Sequence, residues 1–87
     1  MYVAIIHRIA DPQKWRALKE QATAAGFPAG FRLPVNVVDK DTHTELCVWE
    51  APSIDAVKDF LEPLTAGVSS NEYFEAAALN LGAVQPA

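Results

Sequence analysis

The sequence has little of several features that mark whole classes of protein. It contains one cysteine, Cys47, and therefore has no internal disulfide framework. It has no cluster of lysine or arginine, and its formal net charge is −4. We therefore expect no nucleic-acid partner and no anionic membrane surface, because both are bound mainly by neutralising phosphates. No run approaches the roughly 20 apolar residues that a membrane-spanning helix needs.

The residues that are present have the composition of a folded protein. Of the 87 residues, 51% are hydrophobic and 21% are charged, and the 4 glycines and 6 prolines are too few for a collagen-like or low-complexity chain. This length predicts a single domain, residues 1–87. The apolar start is interrupted by His7 and Arg8 and has no basic segment before it, so we expect no signal peptide and a cytoplasmic location.

The first part of the chain predicts a strand followed by a helix. Residues 2–9 are mostly apolar and include several β-branched side chains, which is typical of a strand. Asp11 followed by Pro12 is typical of a helix start, since aspartate caps the first turn and proline fits its first position. Apolar residues then recur at helical spacing as far as Gly26, a typical helix-ending residue, so residues 12–25 are predicted to be helical.

The middle of the chain predicts a hairpin followed by a second helix. Residues 31–38 and 43–51 are two strand-like runs on either side of a polar turn. Pro34 has no N–H for a neighbouring strand, so the first run is predicted to lie at a sheet edge. Ser53 is the predicted cap of the second helix, and Pro63 is its predicted fraying end.

The last segment, residues 71–81, fits two structures. Its alanines favour a helix, whereas the run Tyr73-Phe74-Glu75 equally fits the start of a strand. With a strand here the order becomes βαββαβ, which predicts an α+β fold: a ferredoxin-like sandwich with an antiparallel sheet and both helices on one face. The sequence leaves open whether residues 71–78 form this strand.

The central strands of such a sheet are apolar on both faces. In the first strand the two faces carry Val3, Ile5 and Ile9 on one side, and Tyr2, Ala4 and Ile6 on the other. Two helices can cover only one face of a sheet, so the other face is expected to meet a second copy of the chain. The sequence therefore predicts a homodimer formed sheet to sheet.

Two motifs connect this pattern to a known family. They are His7-Arg8-Ile9-x-Asp11-x-x-x-Trp15 and Leu46-Cys47-Val48-Trp49-Glu50-Ala51-Pro52-Ser53. In them, and over nearly its whole length, the chain resembles the dimeric α/β-barrel superfamily, in which two ferredoxin-like protomers pack sheet to sheet. The second motif is similar to that of small members of largely unassigned function, some of them implicated in nickel binding. Other members are cofactor-independent monooxygenases, isomerases, or dye- and haem-processing enzymes, so the resemblance identifies the fold more closely than the activity.

His7 is the leading candidate for chemistry. It interrupts an apolar strand face near the start of the first helix, where the cleft between sheet and helices opens in the related folds. A histidine in an apolar cleft can act as a general acid/base near neutral pH, and Asp11 is a candidate to orient it. The alternative is a packed imidazole bonded to a backbone carbonyl or to Asp11, with Asp11 itself explained by helix capping.

Large apolar side chains are the candidate walls of such a cleft: Trp15, Trp49, Phe60 and Leu61. Both tryptophans equally suit a packed core. Arg8 or Arg32 could hold an anionic group of the ligand. The sequence has no nucleophile elbow and no phosphate-binding glycine loop. It therefore predicts the binding of a small apolar organic ligand without a cofactor, and the resemblance implies monooxygenase or isomerase chemistry.

A second hypothesis is a divalent metal site. His43, Glu45 and Cys47 alternate along one strand, which places all three on the same face. These donors suit nickel, zinc or copper, with His7 or the dimer mate completing the set. The alternative is a solvated His43, a Glu45 paired across strands and a buried, inert Cys47. A third hypothesis is a non-catalytic dimeric accessory module, which would have no ligand cavity.

Overall fold

Strands and helices alternate along residues 1–77, the part of the chain that this computed structural model describes. The elements are β1 (Tyr2–Ile9), α1 (Pro12–Ala25), β2 (Arg32–Val38), β3 (Thr44–Glu50), α2 (Ile54–Thr65) and β4 (Ser69–Ala76). The strands form one sheet in the order β2-β3-β1-β4, and each neighbouring pair is antiparallel. The architecture is α+β and is consistent with a ferredoxin-like fold.

Both helices begin at their predicted caps. Asp11 Oδ1 accepts a hydrogen bond of 3.1 Å from the backbone N–H of Lys14, at the start of α1. Ser53 Oγ accepts one of 3.0 Å from the backbone N–H of Ala56, at the start of α2. These bonds satisfy backbone donors that have no partner within the helix, and so fix where each helix starts.

The end of α2 differs from the predicted one. The helix continues through Pro63 and ends at Thr65. Proline has no N–H to donate in this last turn, and the hydroxyl of Thr65 makes a separate 2.9 Å hydrogen bond to the carbonyl of Leu61. The continuation matters for the site described below, because it carries the buried Thr65 to the end of β4.

Residues 71–76, which the sequence left undecided, belong to a strand. β4 pairs with β1 along its whole length, from Ala76 opposite Tyr2 to Ser69 opposite Ile9. This pairing overrides the helix preference of the alanines, because a strand at this place completes the ladder of β1. Residues from 78 onward lie outside the described part of the chain. β2, which contains Pro34, lies at the opposite edge of the sheet, as predicted.

The sheet has one face covered by the helices. The side chains that the two central strands bury against the helices are Val3, Ile5, His7 and Ile9 of β1, and Glu45, Cys47 and Trp49 of β3. Trp49 makes edge-to-face contacts with Phe27, Phe31 and Phe60, with ring centroids 4.9 to 6.0 Å apart. Among residues 1–77, no helix is long and apolar enough to cross a membrane.

Candidate functional site

A row of three polar side chains crosses the covered face of the sheet. His7 of β1 lies directly opposite Glu45 of β3 on one side and Asn71 of β4 on the other. Side chains opposite each other on antiparallel strands are close neighbours, with Cβ atoms about 5 Å apart. His7 is only 1% exposed and Glu45 only 3%. The strand register thus brings an imidazole, a carboxylate and an amide together in the interior.

Trp15 of α1 covers this row from the helix side. Its ring lies against the imidazole of His7, with centroids 4.7 Å apart and planes tilted by 51°. Its indole Nε1–H donates a 3.1 Å hydrogen bond to Glu45 Oε1. The cap at Asp11 fixes the start of α1, and thereby the turn on which Trp15 lies. One indole therefore contacts both ionisable members of the row.

Asn71 lies at the centre of a hydrogen-bond network. Its Oδ1 is 2.7 Å from His7 Nδ1 and also accepts a 2.8 Å hydrogen bond from the hydroxyl of Ser69. Its Nδ2 donates to Glu62 Oε2 over 2.6 Å and to Thr65 Oγ1 over 2.8 Å. The hydroxyl of Tyr73 adds a 2.7 Å bond to the same oxygen of Glu62. The end of α2 and β4 thus hold the amide in place from two sides.

Glu45 has its own partners on the side away from Asn71. Its Oε2 forms an ion pair of 2.9 Å with Lys19 Nζ, and the Cys47 thiol donates a weak 3.7 Å contact to the same oxygen. The side chain of Lys19 is 38% exposed, against 3% for that of Glu45. The carboxylate is therefore buried but paired, and its counter-ion extends toward solvent.

A cleft opens between this row and the helices. Its enclosed part measures about 80 Å³. The side chains that line it include His7, Glu45 and Cys47 from the sheet, and the four predicted wall residues, Trp15, Trp49, Phe60 and Leu61. A more open groove of about 650 Å³ lies beside it, and Trp15, Lys19, Thr23 and Glu45 line both spaces.

Burial dominates the protonation of the groups in the cleft. Loss of solvent lowers the pKa of His7 below its ordinary value of 6.5, and the hydrogen bond to Asn71 and the charge of Glu45 offset only part of this effect. The imidazole is therefore neutral at physiological pH. Burial first, and then the charge of Glu45, raise the pKa of the Cys47 thiol to about 12. Cys47 is therefore a protonated, weakly nucleophilic thiol.

Two predicted site residues lie away from the cleft. The partner of the imidazole is Asn71 and not Asp11, whose carboxylate is the cap of α1. Arg8 follows His7 along β1 and therefore points to the opposite face of the sheet, where it forms an exposed 3.3 Å ion pair with Glu72. Neither Asp11 nor Arg8 is among the residues that line the cleft.

The three candidate metal ligands do not converge. Glu45 and Cys47 face the cleft, but Glu45 is occupied by Lys19 and Trp15. His43 is exposed at the hairpin, and its Nδ1 bonds to the carbonyl of Ile9 over 2.9 Å. Within residues 1–77, no group of three or more His, Cys, Asp or Glu side chains is arranged to hold a metal ion.

Several residues of the site were not predicted from the sequence. They are Lys19, Glu62, Thr65, Ser69 and Asn71. Glu45 was predicted as a metal ligand or as one member of a pair across strands, and not as a partner of Trp15 and Lys19. Their role depends on which residues stand opposite His7, and that requires the strand register and the presence of β4. For Ser69 and Asn71 the sequence does contain a signal, because polar residues alternate along this strand at positions 69, 71 and 73 and therefore share one face.

Comparisons of the chain with protein-family models, with curated proteins and with solved structures found no match. The fold and the site together define an α+β protein with a buried, neutral histidine in an otherwise largely apolar cleft. The geometry of that cleft is therefore the basis for proposing a function.

Proposed function

We propose that this protein binds a small, largely apolar organic ligand in the cleft between its helices and its sheet, with His7 as the acid/base group. The observation that carries the proposal is the placement of His7, an imidazole 1% exposed that lines a cleft walled by tryptophan, phenylalanine and leucine side chains. A concave apolar site with a few convergent polar groups is the usual form of a small-molecule site. A second polar group supports the proposal: among residues 1–77, Trp49 Nε1 is a buried donor without a partner, and Trp49 lines the same cleft.

The dimensions of the cleft restrict how a ligand can lie. Its enclosed part of about 80 Å³ is smaller than the roughly 150 Å³ of an apolar cavity that accommodates a benzene ring. A ligand of one ring or more must therefore extend beyond the enclosed part. The adjoining groove of about 650 Å³ provides that room. We propose that the reactive end of the ligand enters the cleft beside His7 and that the remainder lies along the groove.

The chemistry follows from the neutral imidazole. Neutral histidine can accept a proton from a hydroxyl group or from an acidic C–H group of the ligand. Return of the proton to another atom of the resulting anion is an isomerisation. Reaction of a phenolate with dioxygen gives a quinone, with one oxygen atom entering the ring and the other leaving as water, and needs no further electron donor. Both reactions use the electrons of the ligand, so neither requires a bound cofactor.

We also propose that the uncovered face of the sheet pairs with a second copy of the chain, as in the dimeric α/β-barrel superfamily that the sequence resembles. The register places two apolar rows on this face: Phe74, Ala4, Val48 and Val35 in one, and Ile6, Leu46 and Val37 with Glu72 in the other. Phe74 and Val37 are exposed in the single chain. A contiguous apolar surface of this kind is typical of a protein interface.

A thermal-shift screen of phenols, quinones and larger fused-ring analogues tests the ligand proposal. At about 100 Kd a ligand stabilises the folded state by roughly 2.7 kcal/mol, which is a shift of several degrees for a domain of this size. We expect His7→Ala to reduce the shift. The matched control is Arg8→Ala, a change at the next residue on the opposite face, which we expect to leave the shift intact. A shift that survives His7→Ala unchanged would contradict an acid/base role for His7.

The two alternative functions, a metal site and a non-catalytic accessory module, predict different results in binding experiments. Equilibrium dialysis with nickel, zinc and copper, on the protein and on His43→Ala and Cys47→Ser, tests the metal hypothesis. Uptake that both variants weaken would favour it over the ligand proposal. A complete lack of ligand-dependent stabilisation and of metal uptake would favour the accessory module instead.

A further inference from the structure

The side-chain amide of Asn71 can have only one orientation. Glu62 is a carboxylate and can only accept, so the atom of Asn71 that lies 2.6 Å from it must be the NH2 group. Thr65 gives the same answer, because its hydroxyl donates to the carbonyl of Leu61 and therefore accepts from Asn71 over 2.8 Å. The carbonyl oxygen of Asn71 must then face His7.

This orientation selects one tautomer of His7. A carbonyl oxygen has no hydrogen to donate, so the 2.7 Å contact requires that His7 Nδ1 carries the proton. In the neutral ring, Nε2 then has the free lone pair. Among residues 1–77, His7 Nε2 has no hydrogen-bond partner. In the same part of the chain, the one fully buried side-chain nitrogen or oxygen without a partner is Trp49 Nε1, so Nε2 is not fully buried. Nε2 therefore keeps some accessible surface, and the cleft that His7 lines is the space from which a ligand can reach it.

We propose that Asn71 is the positioning residue of the site, and that by fixing Nε2 of His7 as an acceptor it selects ligands that donate a hydrogen bond there. The ligand class is compounds that carry an un-ionised hydroxyl or N–H group on their apolar body. Analogues in which that group is methylated leave the buried acceptor unpaired and are disfavoured. This inference rests on the proposed function, and it specifies that the ligand group in contact with His7 is a hydrogen-bond donor.

The charges around the cleft also favour an un-ionised ligand. The groups that act on His7 from the neighbouring elements are Glu45 of β3, Lys19 of α1 and Glu62 of α2. Lys19 lines the cleft but is paired with Glu45, so its charge is already neutralised locally. An anionic ligand group beside His7 would therefore meet a neutral imidazole and an ion pair without net charge, and it would lose its hydration without gaining a counter-ion. A carboxylate ligand is accordingly expected to bind more weakly than the hydroxyl compound of the same shape.

The first experiment measures the tautomer and the ligand preference of the unaltered protein. Nitrogen-15 NMR at pH 7.5 should show a protonated Nδ1 and an unprotonated Nε2 for His7. Titration with phenol and with anisole should show roughly five-fold tighter binding of phenol, which is the effect of one net hydrogen bond. Phenol should also shift the Nε2 resonance, whereas anisole should not.

The second experiment changes Asn71. The variant is Asn71→Asp combined with Glu62→Gln, because a carboxylate at position 71 alone would lie about 2.6 Å from that of Glu62 and share a proton with it. In the double variant the new carboxylate still accepts from Nδ1–H and stabilises the protonated imidazole, so the pKa of His7 should rise. Below the new pKa, Nε2 carries a proton, and the preference for phenol over anisole should fall to about one. The matched control is Ser69→Ala, which removes the other donor to Asn71 Oδ1 and should leave tautomer and preference unchanged.

The outcomes separate this inference from the proposed function. A protonated Nε2 in the unaltered protein, or equal binding of phenol and anisole, would overturn the inference while leaving a ligand site in place. This result does not depend on whether the double variant folds. Failure of both probes to bind would contradict the proposed function, and the ligand preference with it.

Discussion

His7 and Glu45 are direct neighbours in the sheet, yet each is bonded to something else. Asn71 accepts from the imidazole, while Lys19 and Trp15 bind the carboxylate. The hydrogen bond to Asn71 and the charge of Glu45 each favour a proton on His7, whereas burial and the charge of Lys19 disfavour it. Burial has the largest effect and lowers the pKa of His7, and Lys19 opposes the effect of Glu45. The imidazole is therefore neutral at physiological pH.

The lowered pKa of His7 predicts how stability depends on pH. In the unfolded chain the imidazole takes up a proton near pH 6.5, whereas in the folded protein it does so only at lower pH. The free energy of unfolding is therefore greatest above pH 6.5 and falls as the pH decreases from there toward the folded pKa. The slope is at most about 1.4 kcal/mol per pH unit. Urea denaturation at pH 8, 7, 6 and 5 measures it.

Substitutions at two adjacent residues test whether His7 causes this pH dependence. His7→Gln should remove this slope between pH 7 and 5, because the variant has no imidazole at that position. Arg8→Gln, at the next residue, should retain it, since arginine does not titrate in this range. An undiminished slope in His7→Gln would mean that other groups cause the dependence.

The ion pair between Lys19 and Glu45 should respond unequally to loss of either member. Lys19→Met leaves a carboxylate that is 3% exposed without its counter-ion, and we expect a loss of about 2 kcal/mol in the free energy of unfolding. Glu45→Gln keeps an acceptor for Trp15 and lets the half-exposed ammonium turn to water, so its cost should be about 1 kcal/mol. Chemical denaturation of both variants at pH 7.5 tests this order, with Lys14→Met as the exposed control on the same helix. Equal losses would show that the buried carboxylate is not the sensitive partner.

At the scale of the elements, sequence reasoning worked where the signal was local. The start of α1 follows from Asp11 and Pro12, and the edge position of β2 follows from Pro34, because each residue acts through its own backbone. The strand character of residues 71–76 depends on pairing with β1, which is distant in sequence, and the alanines alone favour a helix.

In the candidate site, too, the residues with a local signal could be predicted from the sequence, and those that depend on strand pairing could not. His7 and its apolar walls could be proposed from the sequence, because a histidine within an apolar strand is a visible exception to the pattern. Asn71 could not, since its importance comes from standing opposite His7 in the register of β4 and from its bonds to the end of α2. Sequence proximity alone indicates Asp11 as the partner of His7, whereas the strand register supplies Asn71.

Asp11 can be tested as a helix cap against a role in the site. Asp11→Ala should lower the free energy of unfolding by about 1 kcal/mol, whereas Asp11→Asn should cost little, because asparagine caps a helix as well as aspartate does. Both folded variants should bind the ligands found for the unaltered protein with similar affinity. Loss of binding in Asp11→Asn, with stability retained, would show that the charge of Asp11 acts on the site after all.

At the scale of the whole molecule, the sheet separates two surfaces of different composition. One face carries the polar row and the cleft, and the helices cover it. The other carries apolar side chains on all four strands, with the Arg8–Glu72 ion pair beside them. Because successive side chains of a strand point to opposite faces of the sheet, residues adjacent in sequence lie on different surfaces. Substitutions one residue apart can therefore test the two surfaces separately.

Val37 and Val38 offer such a matched pair for the homodimer. They are 54% and 53% exposed in the single chain, so either introduced side chain can reach water. Val37 stands opposite Leu46 on the uncovered face, whereas Val38 stands opposite Glu45 and lines the groove. In sedimentation at micromolar concentration we expect a dimer for the unaltered protein and for Val38→Glu. Val37→Glu should shift the equilibrium toward monomer, because it buries a carboxylate at the interface. A monomer for the unaltered protein, or equal effects of the two variants, would contradict pairing through this face.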